Sequence, residues 1–181
     1  MSARFTFLHG EHLVLRPLLE SDADGPYPGW LNDAEVCQGN SHHVLPYTPQ
    51  TALEYIRRTQ QSPTDLVLAI VLKENDTHVG NIALQSIHSL HRCAEFAILI
   101  GNRSAWGKGH GLEAGRLLCR HGFHALNLHR IHCGTYAGNA GMIALARALG
   151  MKEEGRRREA AYKDGHYVDI VEFGLIGSDF L

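Results

Sequence analysis

Three glycines within five positions, Gly107, Gly109 and Gly111, form a segment whose chemistry suits the binding of a phosphate group. The segment follows an apolar stretch at residues 94–100 and precedes a helical pattern at residues 112–125. Glycine lets the backbone turn sharply and approach a ligand closely, and the unpaired N–H groups of a helix's first turn attract an anion. The order of these features therefore predicts a strand, a phosphate-binding loop and a helix.

The spacing of these glycines differs from that of two well-known phosphate-binding motifs. A P-loop requires Gly-Lys-Ser or Gly-Lys-Thr after its fourth variable residue, and the segment has neither. A dinucleotide fingerprint requires G-x-G-x-x-G on the first strand of a βαβ unit, and the segment does not meet this requirement. Short glycine motifs are often only turns, so the segment by itself leaves a plain turn open as the alternative.

Glu95 is the one charged residue of the apolar stretch and is the first candidate for acid–base chemistry. A carboxylate on a mostly buried strand is costly to leave unpaired. Burial also disfavours its charged form, which suits it to accept a proton from an ammonium group, directly or through water. A structural salt bridge with Arg92 or with a neighbouring strand is the alternative, and the residues leave both open.

Thirteen histidines and four cysteines raise the question of a metal site. His121 and His124 lie three residues apart on the predicted helix, but His-Glu-x-x-His and Cys-x-x-Cys are absent. His129 and His132 are separated by an odd step, so on a strand they face opposite sides. We therefore expect no metal, and scattered thiols suit a reducing compartment.

Composition predicts a single domain over residues 1–181, because 44% of the residues are hydrophobic and the length allows a sizeable core. The formal net charge is −2 and the longest basic block is residues 156–158, so no nucleic-acid partner is expected. No apolar run approaches the roughly 20 residues of a membrane span. The first residues also lack an apolar signal core, so we expect no membrane contact and a cytoplasmic location.

Periodicity predicts strands that first form a meander and then alternate with helices. Thr48 before Pro49 is typical of a helix N-terminus, and Gly150 suits a helix C-terminus. The predicted strands cover residues 12–18, 65–73, 78–89, 93–100, 129–136, 152–162 and 167–176. The predicted helical segments begin near residues 20, 30, 48, 112 and 139, and the second of them covers residues 30–36. The result is a mixed α/β sheet without internal repeats.

The chain resembles the GNAT N-acetyltransferase family in the glycine segment. The pyrophosphate loop of that family reads Gln or Arg, two variable residues, Gly, one variable residue, and Gly or Ala. Gly109-His110-Gly111 matches its end, and Trp106 stands where Gln or Arg is usual. The Trp-Gly-Lys-Gly variant is similar to the branch that contains ribosomal-protein N-terminal acetyltransferases and spermidine acetyltransferases. Matches at residues 15–18, 138–139, 149–151 and 154–155 extend the resemblance over nearly the whole chain.

This resemblance implies an α/β fold whose mixed, mostly antiparallel central sheet is splayed at its centre and flanked by helices. It also implies acetyl-CoA as acyl donor, with the pantetheine arm along the strand and the pyrophosphate on the loop amides. Lys108 and Arg103 are candidate screening charges. Asn139 is a candidate contact to the cofactor arm and fits a helix N-cap equally well, and the two roles can coexist. The expected cofactor contacts are Phe96, Ile98, Leu99, Ile100, Trp106, Gly107, Lys108, Gly109, His110, Gly111 and Asn139.

The resemblance places a glutamate base at Glu95 and leaves the general acid open. Ala146 stands where many members have a tyrosine, and Met142 stands where a subset has a serine. Tyr136 is the candidate substitute, although a strand tyrosine more often serves packing. Solvent is the other source of the proton.

The implied activity is acetyl transfer to a primary amine by direct attack through a tetrahedral intermediate. A protein N-terminus, a polyamine and a nucleotide-linked amino sugar are the candidate acceptors, and a non-catalytic acyl-CoA-binding module is the alternative. Acidic residues at positions 33 and 35 would attract a cationic amine, or form an ordinary solvated face. A homo-oligomer is left open. The expected acceptor-site residues are Trp30, Asn32, His42 and His43.

Overall fold

One eight-stranded sheet, with strand order β1-β2-β3-β4-β5-β6-β8-β7, organises the computed structural model, which describes residues 5–180. All neighbouring strands are antiparallel except β5 and β6. This confirms the predicted mixed, mostly antiparallel α/β sheet. The strands are β1 Leu8–His9, β2 Leu13–Pro17, β3 Leu66–Leu72, β4 His78–His88, β5 Cys93–Ile100, β6 Arg130–Tyr136, β7 Lys152–Lys163 and β8 His166–Ile176. The helices are α1 Tyr27–Leu31, α2 Pro49–Gln60, α3 His110–His124 and α4 Ala140–Ala148.

The sheet splits between β5 and β6. These two strands pair at only three positions, the last of which joins Glu95 to His132. Beyond this point β5 stays paired with β4 as far as Ile100, and β6 stays paired with β8 as far as Tyr136. The two strands therefore form a V, and the edge of β5 that faces its opening has no partner strand in the described part of the chain. This confirms the predicted splay.

Two hydrophobic cores cover the two faces of the sheet. Alternate residues of a strand face opposite sides, so Phe96 joins the core beneath α3 and α4, whereas Leu99 packs with the core around α1 and α2. Glu95, an even number of residues before Leu99, lies on the same face as Leu99. The V therefore opens between two faces of the sheet: one face carries α3 and α4, and the other carries α1 and α2.

The predicted helical segment at residues 30–36 is wrong, because α1 covers Tyr27–Leu31 and turns follow it. Pro26 is its N-cap residue and Pro28 lies in its first turn, where a missing backbone N–H breaks no helical hydrogen bond. Both prolines therefore lie at the start of α1. The short strand β1 was not predicted, since two residues carry no alternation.

The other helix ends match the expectations. The Thr48 side chain accepts a hydrogen bond from the amide of Thr51 at the start of α2, and Gly150 follows α4 with a φ of +87°. No helix within residues 5–180 is long and apolar enough to cross a bilayer.

Candidate active site

The glycine segment joins the open end of β5 to α3 and has the backbone of an anion-binding loop. Gly107 and Gly109 have φ angles of +72° and +82°, in the left-handed region that L-side chains disfavour. Gly109 is the N-cap residue of α3 and supplies no side chain to cap the helix. The amides of the first turn of α3 thus remain available to an anion, at the mouth of the V.

Trp106 ties this loop to the strand. Its indole Nε1 donates a hydrogen bond of 2.7 Å to the carbonyl oxygen of Ile100, while the side chain remains 41% exposed. The residue expected to contact the cofactor therefore has a structural contact of its own, which fixes the distance between the loop and the end of β5.

A groove of about 540 Å³ runs from the loop along α3 and is edged by the turn between β1 and β2. Lys108, Arg116 and Arg120 line it, and none of the three has a carboxylate partner among residues 5–180. Arg103, by contrast, forms ion pairs with Asp33, at 3.1 Å, and with Glu35. The positive charge at the loop therefore comes from Lys108 and α3, and the interpretation of Arg103 as a phosphate-screening charge is not supported.

Glu95 is exposed, and this corrects the expectation that it is buried. The strand around it is apolar, but Glu95 lies at the last position where β5 and β6 pair, and its side chain is exposed there. Its cross-strand neighbours are Gln85 on β4 and His132 on β6. The expected salt bridge with Arg92 is also absent from the described residues, since the Arg92 guanidinium donates to the backbone and side chain of Asn127. Glu95 therefore lies free at the floor of the V.

His132, the β6 partner of Glu95, was not predicted as a site residue. The parallel register that places it beside Glu95 depends on a helical crossover of 29 residues, 101–129. The sequence carried one signal for His132. Its odd spacing from His129 places the two side chains on opposite faces of a strand.

The hydroxyl expected of a general acid has one source on β6. Tyr136 is half-buried at the end of the strand, and its pKa is raised by burial and by the nearby Asp164 carboxylate. The phenol thus keeps its proton across the neutral range. Ala146 is fully buried in the α3–α4 core, so a tyrosine ring at this position would have to displace packed side chains.

Both polar atoms of the Asn139 side-chain amide form hydrogen bonds within the protein. Its Oδ1 accepts a 3.0 Å hydrogen bond from the amide of Met142, which caps α4. Its Nδ2 donates a 3.0 Å hydrogen bond to the carbonyl of Gly39. The N-cap alternative is therefore confirmed, and the same side chain also fastens residues 33–47, here called the acceptor loop, to α4.

Two of the four expected acceptor-site residues have structural roles. Trp30 is 7% exposed and packs against Gly101 and, edge to face at 4.9 Å, against His78. Asn32 exchanges hydrogen bonds with the backbone of Tyr47, donating at 2.6 Å and accepting at 2.8 Å. Trp30 is therefore part of the core, whereas Asn32 is exposed and uses its amide to hold the acceptor loop in shape.

His42 and His43 are exposed on the acceptor loop, as an acceptor site requires. The pKa of His42 is lowered by partial burial of the ring and by Lys163. Lys163 reaches from the end of β7 and donates a 3.0 Å hydrogen bond to the carbonyl of Cys37. The acceptor loop therefore closes the α1–α2 side of the V, held by α4 at one point and by the β7–β8 hairpin at another.

A buried ion pair lies beneath Trp30. Arg16 donates two hydrogen bonds, of 2.7 and 2.8 Å, to the carboxylate of Asp22, and His78 lies 3.6 Å from the same carboxylate. Burial alone would raise the pKa of Asp22, but the hydrogen bonds from Arg16 and from the Leu19 amide outweigh it and lower the pKa. Arg16 and Asp22 are therefore paired with each other beneath Trp30, whereas Nδ1 of His78 makes no hydrogen bond with a described residue.

The sheet thus splits around a strand edge, and an uncapped glycine loop lies at the open end. This is the arrangement that the family resemblance implies. Residues 12–152 match the family model described as an acetyltransferase (GNAT) domain. The chain therefore belongs to the GNAT acetyltransferase family, whose members transfer acetyl groups to amines, and it is an N-acetyltransferase.

Curated relatives include polyamine acetyltransferases. The spermidine N(1)-acetyltransferase of Vibrio cholerae is 30% identical over 103 residues, which cover 57% of this chain and 59% of that protein. The chain thus matches little more than half the length of this relative. The probable N-acetyltransferase YjcK of Bacillus subtilis is 23% identical over 179 residues, which cover 95% of this chain and 98% of that protein.

Solved structures share the fold over nearly the whole chain. A probable acetyltransferase superposes with a TM-score of 0.87 and 25% identity, over 97% of this chain and 99% of that one. The spermidine N-acetyltransferase from Vibrio cholerae, solved with CoA and spermine, gives a TM-score of 0.84 at 22% identity, over 93% and 97% of the chains. The ribosomal-protein acetyltransferase RimL, solved with coenzyme A, gives 0.83 at 18% identity, over 91% and 94%.

Proposed function

We propose that this enzyme transfers the acetyl group of acetyl-CoA to a primary amine by direct attack. One observation carries the proposal: the left-handed glycine loop and the uncapped first turn of α3 lie at the mouth of the V. These free amides fit a pyrophosphate, and Lys108 adds positive charge beside them. The unpartnered edge of β5 fits an amide-bearing arm, because such an edge offers backbone donors and acceptors.

Acetyl-CoA, when bound, supplies the activated acetyl group, and the residues of this chain position it and manage protons. Free amides on the edge of β5 are suited to stabilise negative charge on the acetyl oxygen. Glu95, exposed at the floor of the V, attracts the acceptor ammonium and takes its proton, directly or through a neighbouring group. Tyr136, protonated at neutral pH, is the group placed to return a proton.

A peptide N-terminus is the acceptor that the charges of the acceptor loop favour. Asp33 and Glu35 both pair with Arg103, so they offer no free carboxylate to the second ammonium of a polyamine. A polyamine is the second candidate, since a relative that matches just over half of the chain is a spermidine acetyltransferase. We also propose a cytoplasmic location, because the four cysteines are free thiols.

A thiol-release assay across matched acceptors tests the function. We expect CoA release with a peptide that has a free N-terminus, and none with the same peptide blocked by N-acetylation. Spermidine measured at the same concentration decides between the two acceptor classes. If the purified protein binds acetyl-CoA but releases no thiol with any amine of a broad panel, a binding module is the better account.

Replacing Glu95 with Gln removes the charge at the floor of the V and keeps the side-chain size. We expect the variant to lose about 10²-fold in kcat, the lower end of the range for acid–base assistance. CoA affinity by calorimetry should stay unchanged, because the loop is untouched. Glu54→Gln, an exposed carboxylate on α2, is the matched control and should retain full activity. Wild-type kcat in Glu95→Gln would remove this residue from the mechanism.

A further inference from the structure

His132 occupies the point where β5 and β6 separate. It is paired in register with Glu95, and this is the last pair before the V opens. Neighbouring strands lie about 4.8 Å apart and paired residues project from the same face. The two side chains therefore stand next to each other on the α1–α2 side of the sheet, where the acceptor loop closes the cleft.

The other charged groups around His132 are already paired with one another. Its partner on β8 is Gly174, and the space above this glycine holds the ion pair of Arg130 with Glu154, joined by a 2.6 Å hydrogen bond. The pKa of Glu154 is lowered chiefly by that hydrogen bond, with a smaller contribution from His132, so the imidazole lies close to the pair.

Two further neighbours complete the surroundings of the ring. Glu172 on β8 lies over Gly134 and pairs with Arg157 at 2.6 Å. On the β4 side of Glu95 stands the neutral Gln85. Glu95 is therefore the carboxylate without an ion pair next to His132 among residues 5–180.

One ring nitrogen of His132 has no partner. Nδ1 is buried and makes no hydrogen bond with any described residue, whereas Nε2 is not buried in this way. An unpartnered buried polar atom in a native protein calls for an explanation, and Nδ1 of His78 is the other histidine nitrogen of this kind among the described residues. His132, unlike His78, lies at the floor of the cleft, and chemistry at the ring's accessible nitrogen supplies the explanation there.

We propose that His132 is the neighbouring group that takes the proton from the acceptor ammonium, with Glu95 stabilising the imidazolium that forms. This assignment rests on the proposed acetyltransferase function and deepens it. Imidazole titrates near neutral pH in model compounds, which matches a proton acceptor to its working pH. An exposed carboxylate serves better to attract the ammonium and to stabilise the positive ring.

The proton transfer balances as follows. One N–H bond of the acceptor ammonium breaks, its electron pair stays on nitrogen, and the lone pair of Nε2 binds the proton. The neutral amine is then the nucleophile, and the imidazolium releases its proton to solvent after the acetyl group has moved. As the tetrahedral intermediate collapses, the C–S bond breaks and CoA leaves as a thiolate. The nitrogen then loses a second proton, which offsets the proton that the thiolate takes up. One proton is therefore released to solvent for each acetyl transfer.

His132→Gln tests the assignment, with His129→Gln as the control. His129 is exposed just before β6 and lies outside the cleft, so its variant should keep wild-type activity. We expect His132→Gln to lose about 10²-fold in kcat with the preferred amine and to flatten the acid limb of its pH profile. KM for acetyl-CoA should not change. If wild type is active and His132→Gln is equally active, the role of His132 is overturned and the proposed function still stands.

A second measurement follows the ring itself. In a proton NMR titration of the full chain, the midpoint of the His132 ring signal should fall in Glu95→Gln, because the carboxylate no longer stabilises the imidazolium. The midpoint of His129 should stay in place. If the titration midpoint of the His132 ring does not move, the pairing of Glu95 with His132 is contradicted. A wild type that binds CoA but acetylates no amine overturns the proposed function, and this assignment with it.

Discussion

Single residues at this site act mainly through hydrogen bonds to the backbone, and Trp106 is the clearest case. Its indole N–H is the direct link between the glycine loop and the end of β5. Trp106→Phe keeps an aromatic ring and removes only the donor. A typical hydrogen bond contributes about 0.5–1.5 kcal/mol, so we expect CoA affinity to fall by about 2- to 10-fold, as measured by calorimetry.

Tyr162→Phe is the control for Trp106→Phe, since this exposed tyrosine makes no hydrogen bond through its hydroxyl within the described chain. Its CoA affinity should equal that of wild type. If Trp106→Phe also binds CoA as wild type does, the indole contact does not position the loop.

At the scale of elements, one side chain joins α4 to the acceptor loop, and the two halves of its amide can be separated. Asn139→Asp keeps an oxygen that caps α4 equally well and loses the donor to Gly39. We expect KM for the amine to rise while KM for acetyl-CoA and the melting temperature change little. Asn139→Ala removes both contacts and should also cost about 1 kcal/mol of stability.

These two variants separate a structural role from direct cofactor contact. If Asn139→Asp instead raises KM for acetyl-CoA and leaves the amine unaffected, the asparagine touches the cofactor, as the family resemblance implies. Steady-state kinetics with each substrate varied in turn distinguishes the outcomes.

The elements themselves were largely predictable from sequence, and the exceptions have physical reasons. Strands β3 to β5 and helix α2 are long, periodic and bounded by turn or cap signals, so pattern alone finds them. Helix α1 was misplaced because its prolines lie where the helix does not need their N–H groups. The roles of individual side chains were harder to predict from the sequence, because the contacts of Trp30, Asn32 and Asn139 join segments that are distant in the chain.

Glu95 and His132 show what the sequence could not supply. The type of Glu95 and its place on an apolar strand were readable, but its exposure depends on where β6 leaves the sheet. Its partnership with His132 depends on the register of a parallel pair, which no local pattern encodes. The conformation of the glycine loop was predictable because its glycines and the helix that follows lie within a few consecutive residues.

At the scale of the whole molecule, the buried Arg16–Asp22 pair links stability to pH. Because the pKa of Asp22 is lowered in the folded state, its contribution is present above the ordinary aspartate pKa and is lost as the pH falls through the folded value. Breaking a buried pair from one side costs about 3–5 kcal/mol. Asp22→Asn should therefore lower the free energy of unfolding by about this amount at pH 7.

Urea unfolding at two pH values checks this account. The difference between wild type and Asp22→Asn should shrink at a pH below the lowered pKa of Asp22, where the wild-type carboxylate also becomes protonated. Asp179→Asn is the control, because its ion pair with Lys152 is on the surface and should contribute little. An equal difference at both pH values would contradict the lowered pKa.

The central claim is that the glycine loop at the mouth of the V binds the pyrophosphate of CoA. The most direct measurement is calorimetric titration of CoA into wild type, Gly109→Val and Gly165→Val. Both glycines have positive φ, +82° and +90°, and open space around the position of a Cβ, so the two substitutions impose similar backbone strain. Gly165, however, lies in the β7–β8 turn and not in the loop. We expect CoA to bind wild type and Gly165→Val alike and to bind folded Gly109→Val about tenfold more weakly or worse, a loss of at least ~1.4 kcal/mol. Equal affinity in all three proteins would contradict the account.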